Sequence, residues 1–101
     1  MKREVVFSPE AGADQISLYD YIAAKSGAER AMAYVERIRQ FCLSLHTFPE
    51  RGTPYGHLLP GVRIVGFERR VSVIFRVKPQ SVTILRILYG GRDLSPSLRE
   101  K

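Results

Sequence analysis

The chain has 101 residues, enough for one domain with one hydrophobic core and no room for a second. Its 45% hydrophobic and 26% charged content is that of a folded globular protein, which excludes a disordered chain. The formal net charge of +6 is unevenly placed: residues 1–50 carry six basic and seven acidic side chains, and residues 51–101 carry ten and three, giving −1 and +7. That asymmetry points to an acidic partner, nucleic acid or an acidic protein segment. Twelve of the 16 basic residues are arginine, which favours bidentate contacts with phosphate or carboxylate.

No apolar run is long enough to span a bilayer, and the apolar part of Met1–Phe7 is too short for a signal segment, so a cytoplasmic location and no membrane partner are expected. Cys42 is the single cysteine and has no internal disulfide partner.

In chain order, Glu4–Phe7 reads as a short strand, and Ser8-Pro9-Glu10 as a helix start in which serine caps and proline takes the first turn. The first helix is expected to bury Ala13, Ile16, Tyr19 or Tyr21, Ile22 and Ala23 and to stop at Ser26-Gly27. A second helix places Ala31, Tyr34, Val35, Ile38, Phe41, Cys42 and Leu45 on one face by steps of three and four, so Cys42 is expected to be buried. An irregular loop runs from Phe48 through Pro54-Tyr55-Gly56 to Pro60-Gly61, and its length marks it as a candidate functional segment.

Three strands follow at Val62–Phe67, Arg70–Val77 and Val82–Leu88, joined by short turns, which predicts an antiparallel meander. The alternation Val71, Val73, Phe75, Val77 and Thr83, Leu85, Ile87 is expected to face the helices. Arg76 and Arg86 would then share the opposite, open face. The fold class is α+β with order β-α-α-β-β-β, one domain over residues 1–101 with a core of about 4–94 and a tail at 95–101.

Phe7-Ser8-Pro9-Glu10-Ala11, Asp20-Tyr21-Ile22-Ala23, Phe48-Pro49-Glu50-Arg51-Gly52, Pro60-Gly61-Val62-Arg63, Ile74-Phe75-Arg76-Val77 and Ile84 through Leu94 together resemble the RelE/ParE toxin superfamily over residues 5–94. The resemblance implies an α-hairpin packed on a small twisted antiparallel sheet. It also implies a ParD-like antitoxin whose acidic C-terminal segment wraps the toxin and whose N-terminal part binds operator DNA, so that the toxin reaches DNA only indirectly.

Two mechanisms occur within this superfamily: RelE-like members cut mRNA on the ribosome, and ParE-like members inhibit DNA gyrase without cutting. Cleavage through a 2′-hydroxyl needs an acid, a base and cations around the phosphate. The positions where RelE-like enzymes carry cationic side chains hold Val65, Phe67 and Ser72. None of these three can do that chemistry, so the ParE-like, non-enzymatic reading leads.

The alternatives are a ribosome-dependent endonuclease using Arg63, Arg76, Arg86, Tyr89 and Arg92, and a degenerate toxin that only co-represses its operon with the antitoxin. Antitoxin or target contacts are expected at Arg63, Arg69, Arg70, Arg76, Arg86, Tyr89 and Arg92, with Arg63, Arg76 and Arg86 lining an acidic-segment groove. Arg69 and Arg70 fall in a turn, Tyr89 at a strand end, and Arg92 beside Asp93. His46 and His57 have no convincing catalytic partner, their spacing with Cys42 matches no metal site, and no cofactor is implied.

Overall fold

A computed structural model describes residues 3–57 and 59–90; Arg92 and the tail at 95–101 lie outside the described residues. The elements are β1 (Glu4–Phe7), α1 (Pro9–Ser26), α2 (Ala28–Leu43), a 3₁₀ turn (Ser44–His46), β2 (Thr53–Pro54), β3 (Val62–Phe67), β4 (Val71–Val77) and β5 (Ser81–Tyr89). The α+β class holds, with the α-hairpin on one face of a single five-stranded sheet of order β1-β5-β4-β3-β2. The sheet is mixed, because β1 runs parallel to β5 while every other pair is antiparallel. The two-residue β2 was absent from the expected order; Thr53 and Pro54 pair with Ile64 and Arg63.

Ser8 caps α1 as its neighbours suggested: its Oγ accepts from the Ala11 N–H at 3.0 Å, and Pro9 occupies the first turn. Gly27 ends α1 at φ 97° and at once begins α2, so the hairpin has a one-residue joint that only glycine adopts without strain. The stripe expected on α2 is the one that packs: Ala31, Ile38, Cys42 and Leu45 are buried, with Tyr34, Val35 and Phe41 against them.

On α1 the expected stripe is wrong in phase. Ala11 and Leu18 are buried and Ile22 is partly so, whereas Ile16 is 66% and Tyr21 49% exposed. The helix rides across the end of the sheet as well as over α2, so polar Asp14 takes an inward position that a hydrophobicity count assigns to solvent.

A β-bulge corrects the strand reading too. Ile74 pairs with Arg86 and Phe75 with Ile84, leaving Leu85 as an extra residue on β5. Past that point the alternation reverses, so the helix side receives Val82, Ile84, Ile87 and Tyr89, while Leu85 and Leu88 go to the back. Thr83 and Leu85 were expected inside, and the bulge is why they are not.

The back face is therefore apolar rather than a basic concavity: Val62, Ile74 and Leu88 are buried there, with Tyr55, Leu59, Ile64 and Leu85 against them. The irregular loop supplies Tyr55 and Leu59 as its cover. Within this loop Gly52 has φ 75°, and a Cβ there would lie 2.1 Å from the Ile64 carbonyl oxygen, so no other residue fits.

Cys42 sits wholly within the helix-side core, and burial pushes its thiol up to about 12. The neutral thiol is the form the fold favours, so this group's contribution is complete below the ordinary thiol value of about 8.5 and is lost as pH rises above it. At about pH 8 the native protein should react with a thiol reagent at least roughly 100-fold more slowly than the denatured chain. Comparable rates would contradict this burial.

Candidate functional site

Parallel pairing with β1 stops at Phe7 opposite Ile84, and among the described residues no strand pairs with the β1 side of β5 beyond that point. The start of α1 closes the gap. The Ser8 N–H donates to the Ile84 carbonyl at 2.9 Å, and its Oγ–H donates to the Leu85 carbonyl at 2.9 Å. Two turns later the Asp14 carboxylate accepts the Ile87 backbone N–H at 2.8 Å and grips the Arg86 guanidinium at 2.8 and 2.9 Å. With side chains 28% and 14% exposed, Arg86 and Asp14 form a partly desolvated bidentate pair, and the carboxylate raises the Arg86 guanidinium above its ordinary value, by hydrogen bonding first.

Arg86 lies opposite Ile74, on the same alternation as Arg76, but its guanidinium is taken by Asp14 of α1. Arg76 lies on the back face and donates to the Pro60 carbonyl at 2.8 Å, tying down the covering loop. Arg63 lies on the helix side and donates to the Arg51 carbonyl at 2.9 Å and the Gly52 carbonyl at 3.3 Å. The three arginines expected to line one groove are each held by a different partner.

The structure instead builds a cleft of about 530 Å³ where the α-hairpin overhangs the end of β5. Tyr89 forms its floor, with Tyr21 of α1 at 5.6 Å between ring centroids and Tyr34 of α2 edge-on at 6.2 Å. Around this aromatic floor stand Lys25, Arg30, Arg37 and Arg70. The Lys25 ammonium lies 5.1 Å from the Tyr21 ring and the Arg37 guanidinium 5.0 Å from the Tyr34 ring, both within cation–π range.

The β3–β4 turn brings Arg70 there. Glu68 and Arg69 adopt positive φ of 50° and 67°, and the turn closes by an Arg70 N–H bond to the Glu68 carbonyl at 2.8 Å. Glu68 then meets Arg37 bidentately at 3.0 Å, and the guanidinium holds its carboxyl below the usual carboxylate range. Both side chains are about half exposed, at 53% and 41%, so the pair fixes geometry more than it stabilises. Burial, then the neighbouring Tyr89 and Glu68, push the Tyr34 phenol up, against Arg37 and Arg70, so it stays a neutral donor at physiological pH.

Of the residues expected from the sequence, Arg70 and Tyr89 line this cleft, and a second cleft sharing Tyr21, Arg70 and Tyr89 continues past them to Arg86. Arg69 lies in the adjoining turn and is exposed, while Arg63 and Arg76 lie elsewhere and Arg92 is outside the described residues. Tyr21, Lys25, Arg30, Tyr34 and Arg37 were missed. The signal available was the spacing Lys25, Arg30, Arg37 with Tyr21 and Tyr34 around the Gly27 joint, which a net charge taken over half the chain conceals.

Val65 and Phe67 are packed against the helix-side core, Phe67 with its ring 4.9 Å from that of Phe41. His46 lies in the 3₁₀ turn beside Thr47, and the exposed His57 stacks near Tyr55 at 5.8 Å. Among the described residues no group of three His, Cys, Asp or Glu side chains could hold a metal, and no helix is long and apolar enough to cross a membrane.

The family model for the ParE toxin of the type II toxin-antitoxin system parDE matches residues 5–94. Toxin ParE3 of Caulobacter vibrioides is 30% identical over 101 residues, covering 100% of this chain and 99% of the relative. A solved structure described as the chromosomal ParDE TA system from P. aeruginosa matches with a TM-score of 0.76 and 30% identity, over 88% of this chain and 97% of that one. The match covers the strand, the helical hairpin and the meander alike, and the chain belongs to the ParE family of toxins of type II toxin-antitoxin systems.

Proposed function

We propose that this toxin arrests growth by inhibiting DNA gyrase in the cytoplasm, cuts no RNA, and is neutralised by a ParD-like antitoxin. The observation that carries the reading is what fills the positions where RNA-cleaving relatives carry cations. Val65 and Phe67 are partly buried and pack against the helix-side core, and Ser72 lies on the other face of β4. Tyr89 is held among two other rings, and Arg86 is committed to Asp14. Val65, Phe67 and Ser72 offer no acid, base or phosphate clamp, and Arg86, though it shares a cleft with Tyr89, already has its carboxylate partner.

An antitoxin with an acidic C-terminal segment complements the +7 half of the chain. Such a segment, running along the β3–β4 hairpin, meets Arg69 at the turn and Arg76 at the far end, neither of which has a carboxylate partner among the described residues. Operator DNA is reached through the antitoxin's own DNA-binding part.

Purified toxin, free of antitoxin, should inhibit supercoiling by gyrase while leaving message intact in a parallel translation reaction with ribosomes. Cleaved message with active gyrase would overturn the reading in favour of an endonuclease, and no effect on either would favour an operon co-repressor. Arg69→Glu combined with Arg76→Glu should weaken antitoxin binding by at least roughly tenfold at physiological salt, with the chain still folded by circular dichroism. Unchanged affinity would remove the hairpin from the antitoxin interface.

A further inference from the structure

We propose that the tyrosine-floored cleft between the α-hairpin and the end of β5 binds single-stranded nucleic acid, with an unpaired base against Tyr21 and the flanking phosphates on Lys25, Arg30 and Arg70. The cleft is lined by four basic side chains and one carboxylate, a net of +3. Its one carboxylate, Glu68, is fully engaged by Arg37, and Lys25, Arg30 and Arg70 have no carboxylate partner among the described residues. Tyr21 is 49% exposed and is propped from behind by Tyr89, so a large aromatic surface stands in the opening with cations on each side. Rigid rings flanked by guanidinium and ammonium groups are the chemistry that takes bases by stacking and phosphates by charge.

The cleft is also an open track rather than a closed pocket, since a second cleft shares Tyr21, Arg70 and Tyr89 and extends along α1 past Ser17 to Arg86. A polymer fits such a track. Its walls favour a nucleic acid over an acidic peptide. Most of the lining comes from α1 and α2, whose backbone groups are bonded within the helices, and the β3–β4 turn closes on itself through Arg70 and Glu68. An extended peptide finds little main chain to pair with there, whereas a nucleic acid needs only ring faces and cations. The inference does not depend on gyrase being the target, because it concerns the isolated chain.

The test is fluorescence anisotropy of a labelled oligothymidylate of roughly 12 nucleotides with the purified full chain, a length within the usual span of a single-strand site. Three phosphate contacts predict a roughly 20-fold loss of affinity between about 50 and about 200 mM salt. Tyr21→Ala should weaken binding roughly tenfold without a change in charge, as expected for one lost stacking platform. Arg30→Glu should weaken it far more than Lys78→Glu, a reversal of equal charge at the opposite, β4–β5 end of the sheet. Circular dichroism and thermal unfolding check that each variant is folded, which the exposure of Tyr21, Arg30 and Lys78 favours. Binding that survives Tyr21→Ala, or that falls equally in both reversals, would mean diffuse attraction and overturn the proposal. So would tighter binding of a polyglutamate peptide of equal length with the same dependence on Arg30 and Tyr21.

Discussion

The Asp14 carboxylate is the interaction on which the rest of this toxin's geometry depends. One side chain accepts a backbone N–H from β5 and two guanidinium N–H groups from Arg86, and it does so from the inward face of a helix. Without it, the strand beyond Ile84 would have an unpaired polar edge under α1, which costs free energy in a water-poor site. With it, the helix replaces the strand that β1 is too short to provide. That substitution sets α1 over the end of the sheet, and the overhang of the α-hairpin around Tyr89 is the cleft.

The bulge at Leu85 belongs to the same arrangement. By adding one residue to β5 it leaves Arg86 opposite Ile74 and returns Ile87 and Tyr89 to the helix side, so that the tyrosine arrives beneath Tyr21 and Tyr34. The helix-side core, filled by Ile38, Leu45, Phe75 and Ile84, holds the layers together, and the loop carrying Tyr55 and Leu59 shields the other face. The site is thus made from the places where regular structure ends: a strand that stops early, a one-residue helical joint at Gly27, and a turn with two left-handed residues.

Those places explain what the sequence could tell. Regular periodicity made α2, β3 and β4 legible, because each keeps one unbroken phase along its length: α2 packs one face on the core, and β3 and β4 send alternate residues to the two clusters. It failed on α1, where Ile16 points outward and Asp14 inward, because that helix packs on a strand edge as well as on a helix. It failed on β5 because nothing in Ile84-Leu85-Arg86-Ile87 announces a bulge; the phase depends on hydrogen bonds to Ser8 and Asp14, more than 70 residues away. Arg70 and Tyr89 could be named from the sequence, since both sit at strand ends. Lys25, Arg30 and Arg37 could not, since each looks like solvated helical surface until the hairpin is folded over Tyr89.

The net charge of the C-terminal half suggested where an acidic partner would bind, yet the cleft draws three of its four cations from the half whose net charge is −1. Charge acts where folding puts it, and Asp14 decides much of that placement. A double-mutant cycle on Asp14→Asn and Arg86→Met, read by denaturant unfolding, tests this most directly. The account predicts a coupling of about 1.5–3 kcal/mol, the range for hydrogen bonds to charged groups. Additive effects, with a coupling within about 0.5 kcal/mol of zero, would mean that the clamp does not hold α1 on the strand edge.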